Sequence, residues 1–295
     1  MVIFNDLCNF ASFYNTFILK IFTTTNELQQ YLAQLRASGA AIGLVPTMGA
    51  LHRGHLSLIQ QAQQRGEVVV CSIFVNPKQF NDPKDLELYP RPILDDIKKL
   101  EQVNCDILFN PAVGELYAGN ESWHLNIGQL EGMLEGKFRP GHYQGVTQVV
   151  HKLFDIIKPD TAYFGQKDYQ QFLVISRMVA QMSMPVKLVM CPIQREPDGL
   201  AMSSRNIHLT PDDRQHALIL SKTLNWVKQN FNPNNVLRLK HDAEKTISNE
   251  PGVELAYFEI ADADTLQPAD NNTKKTVALV AAKVGKTRLI DNVLI

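Results

Sequence analysis

The chain has 295 residues, of which 45% are hydrophobic and 20% are charged. This length fits one large domain plus one small domain, and the composition is typical of a globular protein with a substantial core. Lys and Arg number 29 against 30 Asp and Glu, so the formal net charge is -1. This balance argues against binding to nucleic acid or an anionic membrane through overall charge, and any polyanion site must be local.

Residues 1–19 lack the basic start, the uninterrupted apolar segment and the small-residue cleavage site of a signal peptide. We expect a flexible extension, or the result of an upstream start codon, with an ordered extra strand or helix as the alternative. The sequence contains no apolar run of about twenty residues that predicts a transmembrane helix. The 4 cysteines form no Cys-x-x-Cys pair, which is typical of reduced thiols in the cytoplasm.

Apolar runs and helical periodicities alternate along the first two thirds of the sequence. The runs predict strands over residues 41–45, 68–75, 106–109, 161–164 and 186–190. The periodicities predict helices over residues 56–62, 93–102, 146–157 and 170–182. This alternation predicts an α/β fold over residues 20–192, a Rossmann-like parallel sheet with helices on both faces.

The pattern changes after residue 192. A loop at residues 195–199 is followed by two predicted helices and then by strands without intervening helices. The helices cover residues 211–229 and 236–248, and the strands cover residues 256–261, 277–284 and 288–295. Such an order indicates a small C-terminal α+β domain over residues 193–295.

The loop at residues 46–55 carries glycine and two histidines between a predicted strand and a predicted helix. Free N–H groups and the dipole at a helix start attract an anion, and Gly49 and Gly54 let the backbone approach it. His52 and His55 can donate N–H to phosphate oxygens and stabilise charge that develops there. On this motif alone, a metal bound by His-x-x-His and a simple helix cap stay open.

Neutral amides follow the second core strand, at Asn76 and Gln79. They suit the hydroxyl and carboxylate oxygens of a small substrate, although an ordinary Asn-Pro turn has the same local sequence. Asp95 and Asp96 open the next predicted helix. Their carboxylates either offset the helix dipole or help to hold the magnesium ion of a nucleotide.

Three later segments also predict anion binding. Lys167 can neutralise phosphate, Asp168 can accept from ribose hydroxyls, and Gln171 lies one helical turn on, although a solvated Lys-Asp cap is the alternative. Residues 199–206 carry two hydroxyls and a guanidinium. These groups suit phosphate oxygens if the segment is a movable loop, and a simple interdomain turn is the alternative. Residues 136–145 suit another anion site or a mobile lid.

Taken together, these segments resemble the pantoate-beta-alanine ligase family of the adenylyltransferase superfamily, from about residue 20 to the C-terminus. Residues 46–55 are similar to the superfamily's His-x-Gly-His signature, and residues 200–206 resemble the mobile phosphate-binding loop that accompanies it. The pair is more specific than either motif alone, so a metal at the two histidines is disfavoured. The other matching segments are residues 72–80, 165–171 and 285–292.

The resemblance implies a ligase that condenses pantoate with beta-alanine to pantothenate through a pantoyl adenylate. ATP would be the co-substrate, with Mg²⁺, and AMP and pyrophosphate would be released. The resemblance also implies a cytoplasmic homodimer and a small C-terminal domain that closes over ATP. Nucleic acid and membrane are not expected as partners.

By position, the resemblance makes His52, His55, Lys167 and Arg205 catalytic, with His55 where the family has a general acid. Asn76, Gln79 and Gln171 would bind pantoate and beta-alanine, and Asp95 would bind the metal. The ATP-binding residues would be Met48, Gly49, Ala50, Leu51, His52, Arg53, Gly54, His55, Gly165, Gln166, Lys167, Asp168, Gln194, Met202, Ser203, Ser204 and Arg205.

Three residues depart from the family pattern: Arg53 where an acidic residue is frequent, Gln166 where Glu is common, and Gln194 where an aliphatic residue is usual. Two other functions share parts of the pattern. A nucleotidyltransferase that moves AMP onto a phosphate or nicotinamide ribotide needs cations for its acceptor, whereas the predicted substrate residues are neutral amides. An RNA-binding relative of an aminoacyl-tRNA synthetase is disfavoured by the balanced charge.

Overall fold

The computed structural model describes residues 18–117, 119 and 121–295. Of the expected extension, residues 1–17 lie outside the described residues. The strands are β1 (Lys20–Phe22), β2 (Ile42–Thr47), β3 (Val68–Ile73), β4 (Ile107–Phe109), β5 (Thr161–Gly165), β6 (Lys187–Cys191), β7 (Val253–Asp262), β8 (Thr276–Val284) and β9 (Thr287–Leu294). The helices are α1 (Thr25–Ala37), α2 (Arg53–Gln63), α3 (Pro83–Leu88), α4 (Ile93–Gln102), α5 (Val113–Leu116), α6 (Leu134–Phe138), α7 (His142–Ile157), α8 (Tyr169–Gln181), α9 (Pro211–Asn230) and α10 (Val236–Ser248).

Strands β1 to β6 form one parallel sheet in the order β1-β4-β3-β2-β5-β6. β2 lies inside this sheet and pairs with β3 on one side and with β5 on the other. The strand order therefore changes direction at β2, and this leaves a crevice beyond the carboxyl ends of the central strands. The predicted α/β class with a parallel sheet is confirmed.

Alternate residues of the central strands face opposite sides of the sheet and enter two different cores. Ile42 and Leu44 pack with α1, α7 and α8 on one face. Val45 packs with α2 and α4 on the other face. Because both faces are covered, these strands are apolar at consecutive positions, which explains the uninterrupted apolar runs of the sequence.

The last third of the chain forms a three-stranded antiparallel sheet, β7-β8-β9, whose core includes residues of α9 and α10. This confirms the predicted C-terminal α+β unit, while its boundary at residue 193 stays a prediction. Val277 and Leu279 of β8 also join the core of the parallel sheet. Among the described helices, none has both the length and the apolar content that crossing a membrane requires.

Helix α7 begins four residues earlier than the sequence pattern predicts. Gly141, at φ 77°, caps it in a left-handed conformation, and His142 and Tyr143 are buried in its first turn. Most of the segment predicted as an anion site or lid is therefore regular helix, because its first residues belong to α6 and its last four to α7. β1 and α1 were not predicted, because β1 has three residues and α1 buries two leucines among mostly polar neighbours.

Gly145 in α7 lies directly against the turn that carries Gln79. A Cβ atom on Gly145 would overlap the carbonyl group of Lys78 and lie 2.7 Å from the backbone nitrogen of Gln79. Since these are backbone atoms, the turn itself would have to move. We expect Gly145→Ala to lower the free energy of unfolding by about 1–3 kcal/mol, as overpacked sites do, measured by urea unfolding.

Gly132→Ala is the matched control, because no described atom lies within 4 Å of a Cβ built there. Its free energy of unfolding should stay within about 0.5 kcal/mol of the original chain. Equal effects of the two substitutions would show that the contact between α7 and the turn does not constrain the fold.

Candidate active site

A cavity of about 210 Å³ lies beyond the carboxyl ends of β2, β5 and β6. Segments that are far apart in the sequence meet there, as expected for loops at one edge of a parallel sheet. The predicted site residues that line it are Met48, His52, Gly54, His55, Gln79, Gly165, Lys167, Asp168, Gln171, Gln194, Met202, Ser203, Ser204 and Arg205.

Side chains of α4 hold the loop between β2 and α2 in place. The buried carboxylate of Asp96 accepts the N–H groups of Ala50 and Leu51, at 2.8 and 2.7 Å. The ammonium group of Lys99 donates to the carbonyl oxygen of Leu51 at 2.7 Å. Ala50 is held in the left-handed region, at φ 49°, so these contacts fix a strained turn just before the histidines.

The two histidines cap α2 with their own rings. His52 Nδ1 accepts the N–H of Gly54 at 3.1 Å, and His55 Nδ1 lies 3.4 Å from the N–H of His52 as its acceptor. The rings stack with centroids 4.0 Å apart. Because each Nδ1 acts as an acceptor, the proton of each neutral ring is on Nε2, which is left to donate to a ligand. Helix capping and anion binding are therefore compatible at this motif.

The surroundings of these imidazoles disfavour a positive charge on either ring. Burial, then the neighbouring His55 and Lys167, lower the pKa of His52 to about 2. Burial, then Lys167 and Lys99, lower the pKa of His55 to about 4. Both rings are therefore neutral near pH 7 in this structure.

The two predicted amides after β3 do different things. Gln79 lines the cavity, and its Nε2 contacts the Met48 sulfur at 2.8 Å. Asn76 is buried behind it, and its Nδ2 donates to Gln79 Oε1 at 3.2 Å and to the Gly145 carbonyl at 2.9 Å. Asn76 Oδ1 accepts from the Tyr117 hydroxyl at 2.9 Å. The structure therefore brings Gln79 to the cavity and places Asn76 as its support.

Two cationic side chains, Lys167 and Arg205, line the cavity from different parts of the chain. Lys167 lies in the turn between β5 and α8. Arg205 lies in the loop after residue 201, where its N–H donates to Ser203 Oγ at 3.2 Å. Its guanidinium pairs with Asp85 of α3 at 3.3 Å, and the Tyr89 hydroxyl lies 3.4 Å from Ser204 Oγ.

The remaining predicted residues do not line the cavity. Gly49, Ala50 and Leu51 form the turn above α4, the Arg53 side chain is exposed, and Gln166 contacts Asn292. Asp95 is 66% exposed and lies 3.6 Å from Lys98, so the structure does not bring it to the cavity. Its neighbour Asp96 points inward to the loop instead. No group of three His, Cys, Asp or Glu side chains suited to a metal occurs among the residues that the structure describes.

Several cavity residues were not singled out from the sequence. The sequence indicates no binding role for Tyr89, and it does not show that α7 forms a wall of the cavity. Tyr89-Pro90 was visible as an aromatic before a proline, but nothing local shows that it meets Ser204. The α7 wall consists of Val146, Val149, Val150 and Leu153, whose spacing indicated only a buried helix face.

Comparison with known proteins identifies the family of this chain. A family model described as Pantoate-beta-alanine ligase matches residues 20–294. A pantothenate synthetase from Thermotoga petrophila is 46% identical over 280 residues, which cover 94% of this chain and 100% of the relative. The chain belongs to the pantoate-beta-alanine ligase family.

Solved structures of pantoate-beta-alanine ligases have the same fold. A pantothenate synthetase from Thermus thermophilus matches with a TM-score of 0.86 at 38% identity, covering 93% of this chain and 99% of that one. A ligase from Francisella tularensis, complexed with beta-gamma ATP and beta-alanine, matches with a TM-score of 0.78 at 37% identity, covering 94% and 98%. This chain is therefore an enzyme of the ligase class, with the fold of the family over nearly its whole length.

The two partly buried histidines predict how stability depends on pH. His52 and His55 have pKa values of about 2 and about 4 in the folded state, against 6.5 for a free side chain. The unfolded state therefore binds more protons below pH 6.5, so this contribution to stability is complete above pH 6.5. It is lost as the pH falls to about 4 for His55 and to about 2 for His52. Each group adds a slope of at most about 1.4 kcal/mol per pH unit.

We expect His55→Gln to flatten the loss of unfolding free energy between pH 6.5 and 4, measured by urea unfolding at a series of pH values. His241→Gln, on an exposed position of α10, is the control. Unchanged slopes for His55→Gln would contradict the neutral state of that ring.

Proposed function

We propose that this chain joins pantoate to beta-alanine in two steps, through a pantoyl adenylate, with release of pyrophosphate and then AMP. The observation that carries the proposal is one cavity that combines neutral amides with cations and imidazoles. Gln79 and Gln171 lie in the same cavity as Lys167, Arg205 and the two histidines. The Francisella relative, complexed with beta-gamma ATP and beta-alanine, supports ATP and beta-alanine as substrates.

In the first step, an oxygen of the pantoate carboxylate bonds to the α-phosphorus of ATP. The bond from that phosphorus to the bridging oxygen breaks, and its electron pair leaves with pyrophosphate. A carboxylate is a poor acyl donor, and its attachment to AMP supplies the missing leaving group. Since no covalent enzyme intermediate is needed, the residues act by positioning and by stabilising charge.

The histidines would bind the triphosphate through Nε2. Their Nδ1 atoms are used by the helix cap, so each neutral ring keeps its Nε2–H as the free donor, and both rings line the cavity. The N-terminus of α2 adds partial positive charge at the same place. A phosphate beside His55 would raise the pKa of that ring, which lets it deliver a proton as charge develops on the leaving oxygen.

Lys167 and the loop at residues 202–205 would bind the β- and γ-phosphates and follow their charge as pyrophosphate forms. Two serine hydroxyls and a guanidinium are suitable donors for phosphate oxygens. Arg205 is paired with the half-exposed Asp85 in this structure, an ion pair that phosphate can replace at little cost. Movement of this loop and of the C-terminal unit over ATP is part of the proposal.

In the second step, the neutral amine of beta-alanine attacks the acyl carbon, the bond from that carbon to the AMP oxygen breaks with its electron pair leaving on AMP, and the nitrogen releases one proton to water. Water competes for the same carbon, so the cavity has to exclude it. The apolar wall of α7, with Val146 and Val150, lines the cavity on one side. Gln79 and Gln171 would keep the pantoate hydroxyls oriented while AMP departs.

Magnesium would enter with ATP, coordinated mainly by phosphate oxygens and water. The residues fit this mode better than a protein cage, because Asp168 is the acidic side chain among those described as lining the cavity. Asp95, which the sequence suggested for the metal, is not included in the proposal. A homodimer and a cytoplasmic location stay predictions.

The proposal predicts exchange of labelled pyrophosphate into ATP that requires pantoate and does not require beta-alanine. The first step is reversible and complete without the amine, so exchange reports the adenylate directly. Exchange with another acid but none with pantoate would contradict the substrate. Turnover with nicotinamide ribotide in place of pantoate would favour a nucleotidyltransferase.

The phosphate-binding roles predict the effect of two substitutions. His55→Ala and Arg205→Ala should each lower the single-turnover rate of adenylation by about 10²–10³-fold, as removal of a preorganised donor does. Loss of the Nδ1 cap in His55→Ala should cost about 1 kcal/mol of stability, so both variants should fold. Arg238→Ala, at an exposed arginine of α10, is the control and should keep the full rate. A full rate for either variant would remove that residue from the mechanism.

A further inference from the structure

The segment at residues 285–292 matches the family pattern, yet none of the roles above uses it. In the structure, β9 places Asp291 and Asn292 among the buried residues, at 4% and 2% exposure. Neither side chain lines the main cavity. Both are polar and buried, so their partners decide what they do.

The Asn292 side chain forms hydrogen bonds with the turn that carries Lys167. Its Nδ2 donates to the carbonyl oxygens of Gln166 at 2.9 Å and Lys167 at 3.0 Å. Its Oδ1 accepts from Gln166 Nε2 at 3.1 Å. The amide therefore uses both donors and its acceptor on one three-residue turn, and this fixes where the Lys167 backbone lies relative to β9.

The Asp291 side chain forms hydrogen bonds with the segment that leads to the loop at residues 202–205. Its two oxygens accept from the two terminal nitrogens of Arg195, at 2.7 and 3.0 Å. Arg195 also donates to the carbonyl oxygen of Gly199 at 3.1 Å and forms a backbone bridge with Ala201. This small hairpin leads directly into Ser203 and Arg205, so Asp291 fixes the base of that loop.

The two connections start from adjacent residues of one strand. Asp291 Oδ1 also accepts the backbone N–H of Asn292 at 2.8 Å, which ties the two side chains together. A small cavity of about 10 Å³ is lined by Lys167, Ser203 and Asp291 together, so the two phosphate-binding segments meet next to this pair.

We propose that Asp291 and Asn292 are positioning residues that set the separation between Lys167 and the loop at residues 202–205. This inference rests on the proposed function, because it concerns how the triphosphate is held. The two cations come from separate segments of the chain, and this pair is bonded to both segments. Since charge stabilisation depends on donors placed to within a fraction of an ångström, a small error in this spacing lowers the rate.

The alternative is that the pair only stabilises the C-terminal sheet. The Lys240–Glu259 ion pair supplies a matched control, because it is also partly buried, joins α10 to β7, and has a 2.7 Å contact. Glu259→Gln should leave the adenylation rate unchanged. Any effect of a weakened C-terminal unit alone would appear in this variant too.

The test is a double-mutant cycle between Asn292→Asp and Lys167→Ala. Asn292→Asp keeps the side-chain shape but replaces the two donors with an oxygen that faces two carbonyl oxygens. We expect it to lower the single-turnover adenylation rate by about tenfold or more in the original chain. In the Lys167→Ala background it should change the rate by less than about threefold, because the group it positions is gone.

Arg195→Lys extends the cycle to the second segment. It keeps the charge but loses the two-point contact with Asp291, and its effect should shrink in the same way in the Arg205→Ala background. The KM for pantoate should change by less than about threefold in Arg195→Lys, because Gln79 is held by Asn76 and not by the hairpin that carries Arg195.

The inference would be overturned if Asn292→Asp kept the adenylation rate of the original chain. It would also be overturned if Asn292→Asp lowered that rate by the same factor with and without the Lys167 side chain. Should Asn292→Asp fail to fold, Asn292→Ser, which keeps one donor, is measured in the same cycle. Absence of pantoate-dependent exchange in the original chain would instead refute the proposed function. The inference would then be tested by the affinity for ATP, measured by calorimetry for the same single and double variants. A loss of affinity in Asn292→Asp that disappears in the Lys167→Ala background would support it, and an equal loss in both backgrounds would overturn it.

Discussion

The cavity depends first on the way in which two imidazoles cap one helix. His52 and His55 bond through Nδ1 to N–H groups at the start of α2, so their Nε2 donors have fixed directions. The cap in turn depends on the preceding turn, which Asp96 and Lys99 hold from α4. An anion site is thus built from ordinary helix capping, and the helix start adds its own partial charge.

Three buried polar side chains support the cavity from behind without lining it. Asp96 holds the histidine loop, Asn76 holds Gln79, and Asn292 holds the turn of Lys167. Burying an amide or carboxylate costs free energy unless its donors and acceptors form hydrogen bonds. Each of these side chains therefore favours the one arrangement of its loop that supplies those partners. Gln79 and the turn of Lys167 are therefore supported by separate elements.

The electrostatics of the cavity prepare it for an anion. Burial and nearby cations lower the pKa of His52 to about 2 and that of His55 to about 4, so the rings add no charge of their own near pH 7. Arg205 is paired with the half-exposed Asp85. A bound triphosphate would meet two cations and two neutral donors, and the donor directions would already be set. Such preorganisation is what lowers a barrier that develops charge on phosphate oxygens.

Local patterns in the sequence were enough to predict the parallel sheet, the C-terminal α+β unit and the segments that meet at the cavity. Strand runs and helical periodicity are local properties, and parallel strands bring the loops that follow them to one edge. Long-range packing, by contrast, determines the role of each residue: Asp96 is buried under the histidine loop while Asp95 is exposed, and Gln79 lines the cavity while Asn76 is buried behind it. Adjacent helical residues point about 100° apart, and which of them is buried depends on elements packed from elsewhere in the chain. The partners of Asp291 and Asn292 were unpredictable for the same reason, because they lie about a hundred residues or more away in sequence.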